Sequence, residues 1–173
     1  MQNPLVMTIM GRDRTGLVES IARLITEHSG NWLESRMCRL GGRFTGILRI
    51  HVPQENEEAL VKALQGLHAQ GLDVAAYPDR IQPVPESGRI AVLTIVGQDR
   101  PGIIHQISAA LANQKVNVEE LETECYSAPM SGEMTFKAFA RLHIPEACGV
   151  SDLRAELESI GSELMVDISF SEK

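Results

Sequence analysis

The chain has 173 residues, 43% of them hydrophobic and 23% charged, with a formal net charge of −7, a globular composition long enough for two small cores. An acidic surface works against attraction to nucleic-acid backbones and to anionic membranes, so neither direct nucleic-acid binding nor membrane association is expected. No apolar run approaches the roughly 20 residues of a membrane span, and no basic-then-apolar signal opens the chain, which predicts a cytoplasmic protein.

Residues 4–10 form a continuous apolar run that predicts a central, well-covered strand. The turn Gly11-Arg12-Asp13-Arg14-Thr15-Gly16 follows it. Leu17, Val18, Ile21, Leu24 and Ile25 then fall on one face of a helix that Ser29-Gly30 ends. Residues 31–40 and 43–52 read as two strands joined by Gly41-Gly42, a tight hairpin. In the second of them Phe44, Leu48, Ile50 and Val52 alternate against Thr45, Arg49 and His51, and Pro53 stops the run. Leu60, Val61, Leu64 and Leu67 stripe a second helix that Gly71 closes, and residues 72–77 make a last short strand.

The same order then returns. Residues 89–96 predict a strand, and Gly97-Gln98-Asp99-Arg100-Pro101-Gly102 repeats the first turn at an offset of 86. Ile103, Ile104, Ile107 and Leu111 stripe a helix, and residues 116–126 and 133–144 are strands. In the latter, Phe136, Ala138, Ala140, Leu142 and Ile144 alternate against polar neighbours. Ser151 is the expected N-cap of a helix striped by Leu153, Leu157 and Ile160, and residues 165–171 close the copy. Over 35 aligned positions, from 5–39 to 91–125, 10 are identical, Ile21 with Ile107 and Asn31 with Asn117 among them. His51-Val52-Pro53 matches His143-Ile144-Pro145 at an offset of 92, so the second copy carries six extra residues, placed in a longer hairpin around 127–132. A glycine-bracketed turn duplicated with its flanking elements marks an internal repeat. The predicted organisation is α+β: two βαββαβ domains of ferredoxin-like topology at 1–78 and 89–173, joined by a stiff, proline-rich linker at 79–88.

Two glycines let the backbone bend tightly and approach a ligand closely, and the helix start beyond them offers unpaired N–H groups to a carboxylate. Asp13 or Asp99 can then meet a ligand ammonium, with Asn31 or Asn117 supplying a donor and an acceptor from the next strand. The plain alternatives are that Asp caps the first helical turn and Asn satisfies backbone at a strand start. Arg14 and Arg100 are candidate ligand contacts, and equally solvated or salt-bridged arginines. His105, on the first turn of the second copy's helix, is the one histidine placed to approach a ligand. Cys38, Cys125 and Cys148 are odd in number and far apart, and are expected to be reduced and mostly buried. No metal-ligand spacing, phosphate loop or nucleophile–base set accompanies the turns. An arginine in the first loop with a nearby asparagine, Arg14 with Asn31 or Arg100 with Asn117, imitates the pair of acylphosphatases on the same topology, without that family's valine-rich loop. An RNA-recognition sheet needs central aromatics, and only 4% of residues are aromatic.

An apolar strand, Gly-x-Asp-Arg-x-Gly, an Ile/Leu helix and an Asn opening the next strand resemble the ACT domain, an amino-acid-sensing module. Both copies match, the second more closely, since the first has Thr15 in place of Pro and Trp32 after Asn31. A free-standing pair of this length, with the stretch 126–134, looks like the glycine cleavage system transcriptional repressor family. That resemblance implies a non-catalytic regulator of transcription, free of cofactors, responsive to a small amino acid such as glycine or serine. It implies action through contact with another transcription factor, with ligand contacts at Asp13, Arg14, Gly16 and Asn31 and at Asp99, Arg100, Gly102 and Asn117. A ligand-free protein-interaction scaffold is the alternative. Exposed strand edges and an uncovered sheet face predict a homo-oligomer.

Overall fold

The computed structural model describes residues 1–79, 87–128 and 132–172. The chain divides into two compact units, Met1–Gln82 and Pro83–Lys173. The first contains β1 (Gln2–Arg12), α1 (Leu17–Glu27), β2 (Asn31–Leu40), β3 (Arg43–Pro53), α2 (Glu57–Gln65) and β4 (Leu72–Pro78). The second contains β5 (Gly88–Gln98), α3 (Ile103–Asn113), β6 (Asn117–Ser127), β7 (Met134–Pro145), α4 (Val150–Leu164) and β8 (Val166–Glu172). Each unit is a four-stranded antiparallel sheet, in the orders β2-β3-β1-β4 and β6-β7-β5-β8. With two helices packed on one face, this is the α+β, ferredoxin-like arrangement, present twice. Most of the predicted linker at 79–88 and the centre of the hairpin at 127–132 lie outside the described residues.

Each core forms where strand alternation meets the helix stripes. In the first domain Leu5, Met7 and Ile9 of β1 and Leu48, Ile50 and Val52 of β3 are buried against Leu17, Ile21, Ile25, Leu60 and Leu64. In the second, Leu93 and Ile95 of β5 and Ala138, Ala140, Leu142 and Ile144 of β7 meet Ile103, Ile107, Leu111, Leu153 and Leu157. Gly41 and Gly42 both have positive φ, 56° and 74°, the geometry a two-residue hairpin needs to match strand twist.

Four expectations need correction. The apolar run of β1 predicted a central, well-covered strand, but Thr8 and Met10 are exposed, because both helices pack on the opposite side. Val18 is exposed as well, lying off the α1 stripe that Leu17, Ile21 and Ile25 bury. Ser151 is not the N-cap of α4: the helix starts at Val150, and the Gly149 carbonyl accepts from the N–H groups of Asp152 and Leu153 at 3.0 Å each. Of the cysteines, only Cys148 is buried, and burial raises its thiol pKa. Cys38 and Cys125 are exposed because β2 and β6 are edge strands.

Candidate functional site

The repeated turn is built by two glycines with different tasks. A Cβ on Gly11 would stand 2.6 Å from the Gly71 carbonyl oxygen, and one on Gly97 would stand 2.6 Å from Val166 Cγ1. The first glycine of each motif therefore lets the neighbouring strand close in. The second is left-handed, Gly16 at φ 90° and Gly102 at φ 98°, a conformation open to glycine at little cost. Their carbonyls accept the N–H groups of Ser20 (2.9 Å) and Gln106 (3.0 Å), which starts α1 and α3. No side chain caps either helix, so the first-turn N–H groups lack an intrahelical acceptor and face outward with the positive end of the helix dipole.

Asp13 and Asp99 are not those caps. Each reaches sideways to the neighbouring edge strand. Asp13 Oδ2 pairs with Arg39 Nε at 2.7 Å, and its N–H donates to the Gly42 carbonyl at 3.1 Å. Asp99 shares a hydrogen bond with the Cys125 thiol, and its N–H donates to the Met134 carbonyl at 2.9 Å. Arg39 and Cys125 occupy equivalent places, opposite Phe44 and Phe136. Local desolvation, then the charge and hydrogen bond of Asp99, raise the Cys125 pKa. The arginines brace the turn from the other side. Arg14 Nη2 donates to Gln70 Oε1 at 3.3 Å; Arg100 Nη2 donates to Gln98 Oε1 at 3.1 Å and lies 3.9 Å from the Met165 sulfur. His105 is exposed on α3.

The asparagines stand elsewhere. Asn31 pairs in register with His51, which faces Pro4, whereas the turn begins beyond Arg12. Asn117 pairs with His143, which faces Ile90, whereas the second turn begins beyond Gln98. Eight residues of strand separate the two ends, roughly 26 Å. Within one domain the structure thus brings Asp, Arg and Gly together and leaves Asn at the far end of the sheet. The reason is the crossover: β1 and β2 run parallel, so the end of one and the start of the other lie on opposite rims. The acylphosphatase-like pair of Arg14 with Asn31, or Arg100 with Asn117, is therefore not formed within a domain.

One polar array escaped the sequence reading. On the helix-free face Arg49 Nε pairs with Asp79 at 2.5 Å and Nη1 with Glu34 at 3.3 Å, and these carboxylates raise its pKa against a smaller opposing desolvation. It borders an open cleft of about 470 Å³ lined also by Val6, Arg36 and Ile47. In the second domain Arg141 pairs with Glu119 at 3.0 Å. Both arrays follow a register shift at the same point of the repeat, Trp32/Glu34 and Val118/Glu120. The identity of Glu34 and Glu120 under the 86-residue offset was the available signal.

Among the described residues no helix is long and apolar enough to cross a membrane. Comparison with known proteins places this architecture. The ACT domain family profile matches residues 3–77 and 89–171. The chain is 24% identical over 165 residues to the glycine cleavage system transcriptional repressor of Escherichia coli K12, covering 94% of this chain and 86% of that protein. It is 37% identical over 79 residues to UPF0237 protein MK1213 of Methanopyrus kandleri, covering 45% of this chain and 81% of that one. A crystal structure of an unknown protein from Galdieria sulphuraria superposes with a TM-score of 0.86 at 28% identity, covering 100% of this chain and 99% of that one. With its profile matched twice, across nearly the whole length, the chain belongs to the ACT domain family as a tandem pair.

Proposed function

We propose that this protein is a non-catalytic, cytoplasmic regulator that senses a small amino acid and controls glycine cleavage genes through contact with another transcription factor. The observation that carries the reading is the second turn: an uncapped helix start at Gly102, with the carboxylate of Asp99 beside it. The N–H groups after Gly102 suit a ligand carboxylate, and Asp99 suits its ammonium. Asp99 is the better placed of the two aspartates, because its edge-strand partner is a neutral thiol whereas Asp13 already faces the cation of Arg39. Similarity to a transcriptional repressor along 94% of the chain supports the regulatory role, and the acidic charge supports action through a protein partner instead of DNA.

Thermal stability with each of the twenty amino acids at millimolar concentration tests the effector, glycine and serine first. Stabilisation by one of them is the expected result. Asp99→Ala then weakens calorimetric binding of that amino acid by about 1–3 kcal/mol. A pull-down of transcription factors from lysate, with and without the effector, tests the partner. The second reading is a ligand-free scaffold, favoured by the hydrogen bonds that already occupy both aspartates. It predicts a partner in the pull-down and no thermal shift with any amino acid.

A further inference from the structure

The two turns share a backbone and differ in the charge around it. Within residues 12–14 and 39–43 the first domain sets Arg12, Arg14, Arg39 and Arg43 against a single carboxylate, Asp13. Arg39 pairs with Asp13, and Arg14 donates to Gln70. Arg12 and Arg43 stand directly opposite each other in the β1–β3 ladder, and both are exposed. Among the described residues neither side chain has an ion pair or a hydrogen bond. Carboxylates on the same face of the sheet are already engaged, Glu34 and Asp79 by Arg49 and Asp73 by His68. In the second domain the same two places are Gln98 and Thr135, again opposite each other and uncharged.

Like charges opposite one another on neighbouring strands destabilise a sheet, so the arginine pair does not serve the fold. Its surroundings are apolar. Leu40 pairs with Arg43, and Met10 precedes Arg12 by two residues, so both share the helix-free face with the arginines. They are 76% and 55% exposed, and Ile47 continues the same face at 48%. A guanidinium is a planar fork of donors that fits a carboxylate in bidentate fashion. Two such forks side by side, flanked by Leu40 and Met10, suit a ligand that carries neighbouring carboxylates and an apolar side chain.

We infer that this rim of the first domain docks an acidic segment of another protein, with its carboxylates on Arg12 and Arg43 and its apolar side chains on Leu40 and Met10. A nucleic acid fits less well. Its backbone offers nothing apolar to Leu40 and Met10, and a chain of net charge −7 repels it. The same negative charge works against an acidic segment everywhere else on the surface, which directs it to this rim. That the segment belongs to a transcription factor rests on the proposed function; the docking surface does not.

Fluorescence anisotropy of a labelled peptide of repeated Glu-Glu-Leu, titrated with the full chain, tests the surface. The peptide binds, more weakly as salt rises, and repeats of Gln-Gln-Leu or Glu-Glu-Ser bind less tightly. Arg12→Gln and Arg43→Thr, which install the residues of the second domain, each raise the peptide Kd by about threefold or more, and together by about tenfold or more. Both variants unfold at or above the parent temperature, because a like-charge pair is relieved. The inference is overturned by a parent that does not bind, by equal binding of the Gln-Gln-Leu peptide, or by variants that bind like the parent. It is overturned equally by a single-stranded oligonucleotide that binds more tightly than the Glu-Glu-Leu peptide, or by a lower unfolding temperature in either variant. The pull-down is read separately. Peptide binding with the expected variant behaviour but no captured transcription factor keeps the surface and removes the partner reading; a captured transcription factor with no peptide binding does the reverse.

Discussion

The two domains follow one plan and part company where the turn meets the edge strand. In the first, Asp13 is neutralised by Arg39; in the second, Asp99 meets the thiol of Cys125 at the equivalent place. Charge divides the same way. Residues Met1–Gln82 hold nine acidic and nine basic side chains, and Pro83–Lys173 hold fourteen and seven, so the whole excess of −7 belongs to the second domain. What the copies share is backbone: the close approach at Gly11 and Gly97, the left-handed Gly16 and Gly102, the register shift after Asn31 and Asn117. Those features answer steric demands that few residues meet. Exposed side chains on an edge strand answer only to charge, so the copies differ there without loss of the fold.

The largest test of this comparison lies in the cores. Leu48 on β3 is fully buried, and its counterpart on β7 is Ala140, beside a cavity of about 30 Å³ under α3. Leu48→Ala should destabilise the first domain by about 3 kcal/mol in denaturant unfolding. A loss under about 1 kcal/mol would mean that the first sheet tolerates the looser packing of the second. The turns come next. A Cβ at Gly16 or Gly102 meets no atom within 4 Å, so Gly16→Ala and Gly102→Ala cost the left-handed backbone alone, about 1–2 kcal/mol in each domain by thermal unfolding. Markedly unequal losses would break the claim that the two turns have one backbone requirement. The smallest effect is chemical. Cys125 keeps its proton to higher pH than an ordinary thiol, through local desolvation and Asp99. Any stability this adds is present below the ordinary thiol pKa and lost as pH rises through the raised one. Asp99→Asn should move the pH profile of Cys125 alkylation, followed by mass spectrometry, toward lower pH. An unmoved profile would show that the Asp99 carboxylate does not act on the thiol.

Much of the fold was legible as periodicity. Residues 31–40 were expected as one strand and occupy β2, because a glycine pair and a helix-ending Ser29-Gly30 bracket them. Alternation along 136–144 named the buried face of β7 residue by residue. Local signals failed where two elements competed for one role. Ser151 has the chemistry of a cap, yet the Gly149 carbonyl starts α4 first. The apolar run of β1 looked like a well-covered strand, and an apolar run alone does not say whether a second layer exists. Cys38 and Cys125 looked like core residues until the strand order put them at sheet edges.

By itself, the sequence determined the duplication, the element order, the apolar faces and the two glycine turns, since each is set by spacing along the chain and by the φ a residue can adopt. Only the tertiary structure decided which ends of the strands meet. The parallel course of β1 and β2, and of β5 and β6, holds each asparagine roughly 26 Å from its own turn. It also decided what each aspartate touches, since Arg39 and Cys125 come beside the turns through pairing with β3 and β7. Spacing fixes which face a side chain takes. Its neighbours across the sheet follow from strand order, which the packing of two helices on a closed core selects.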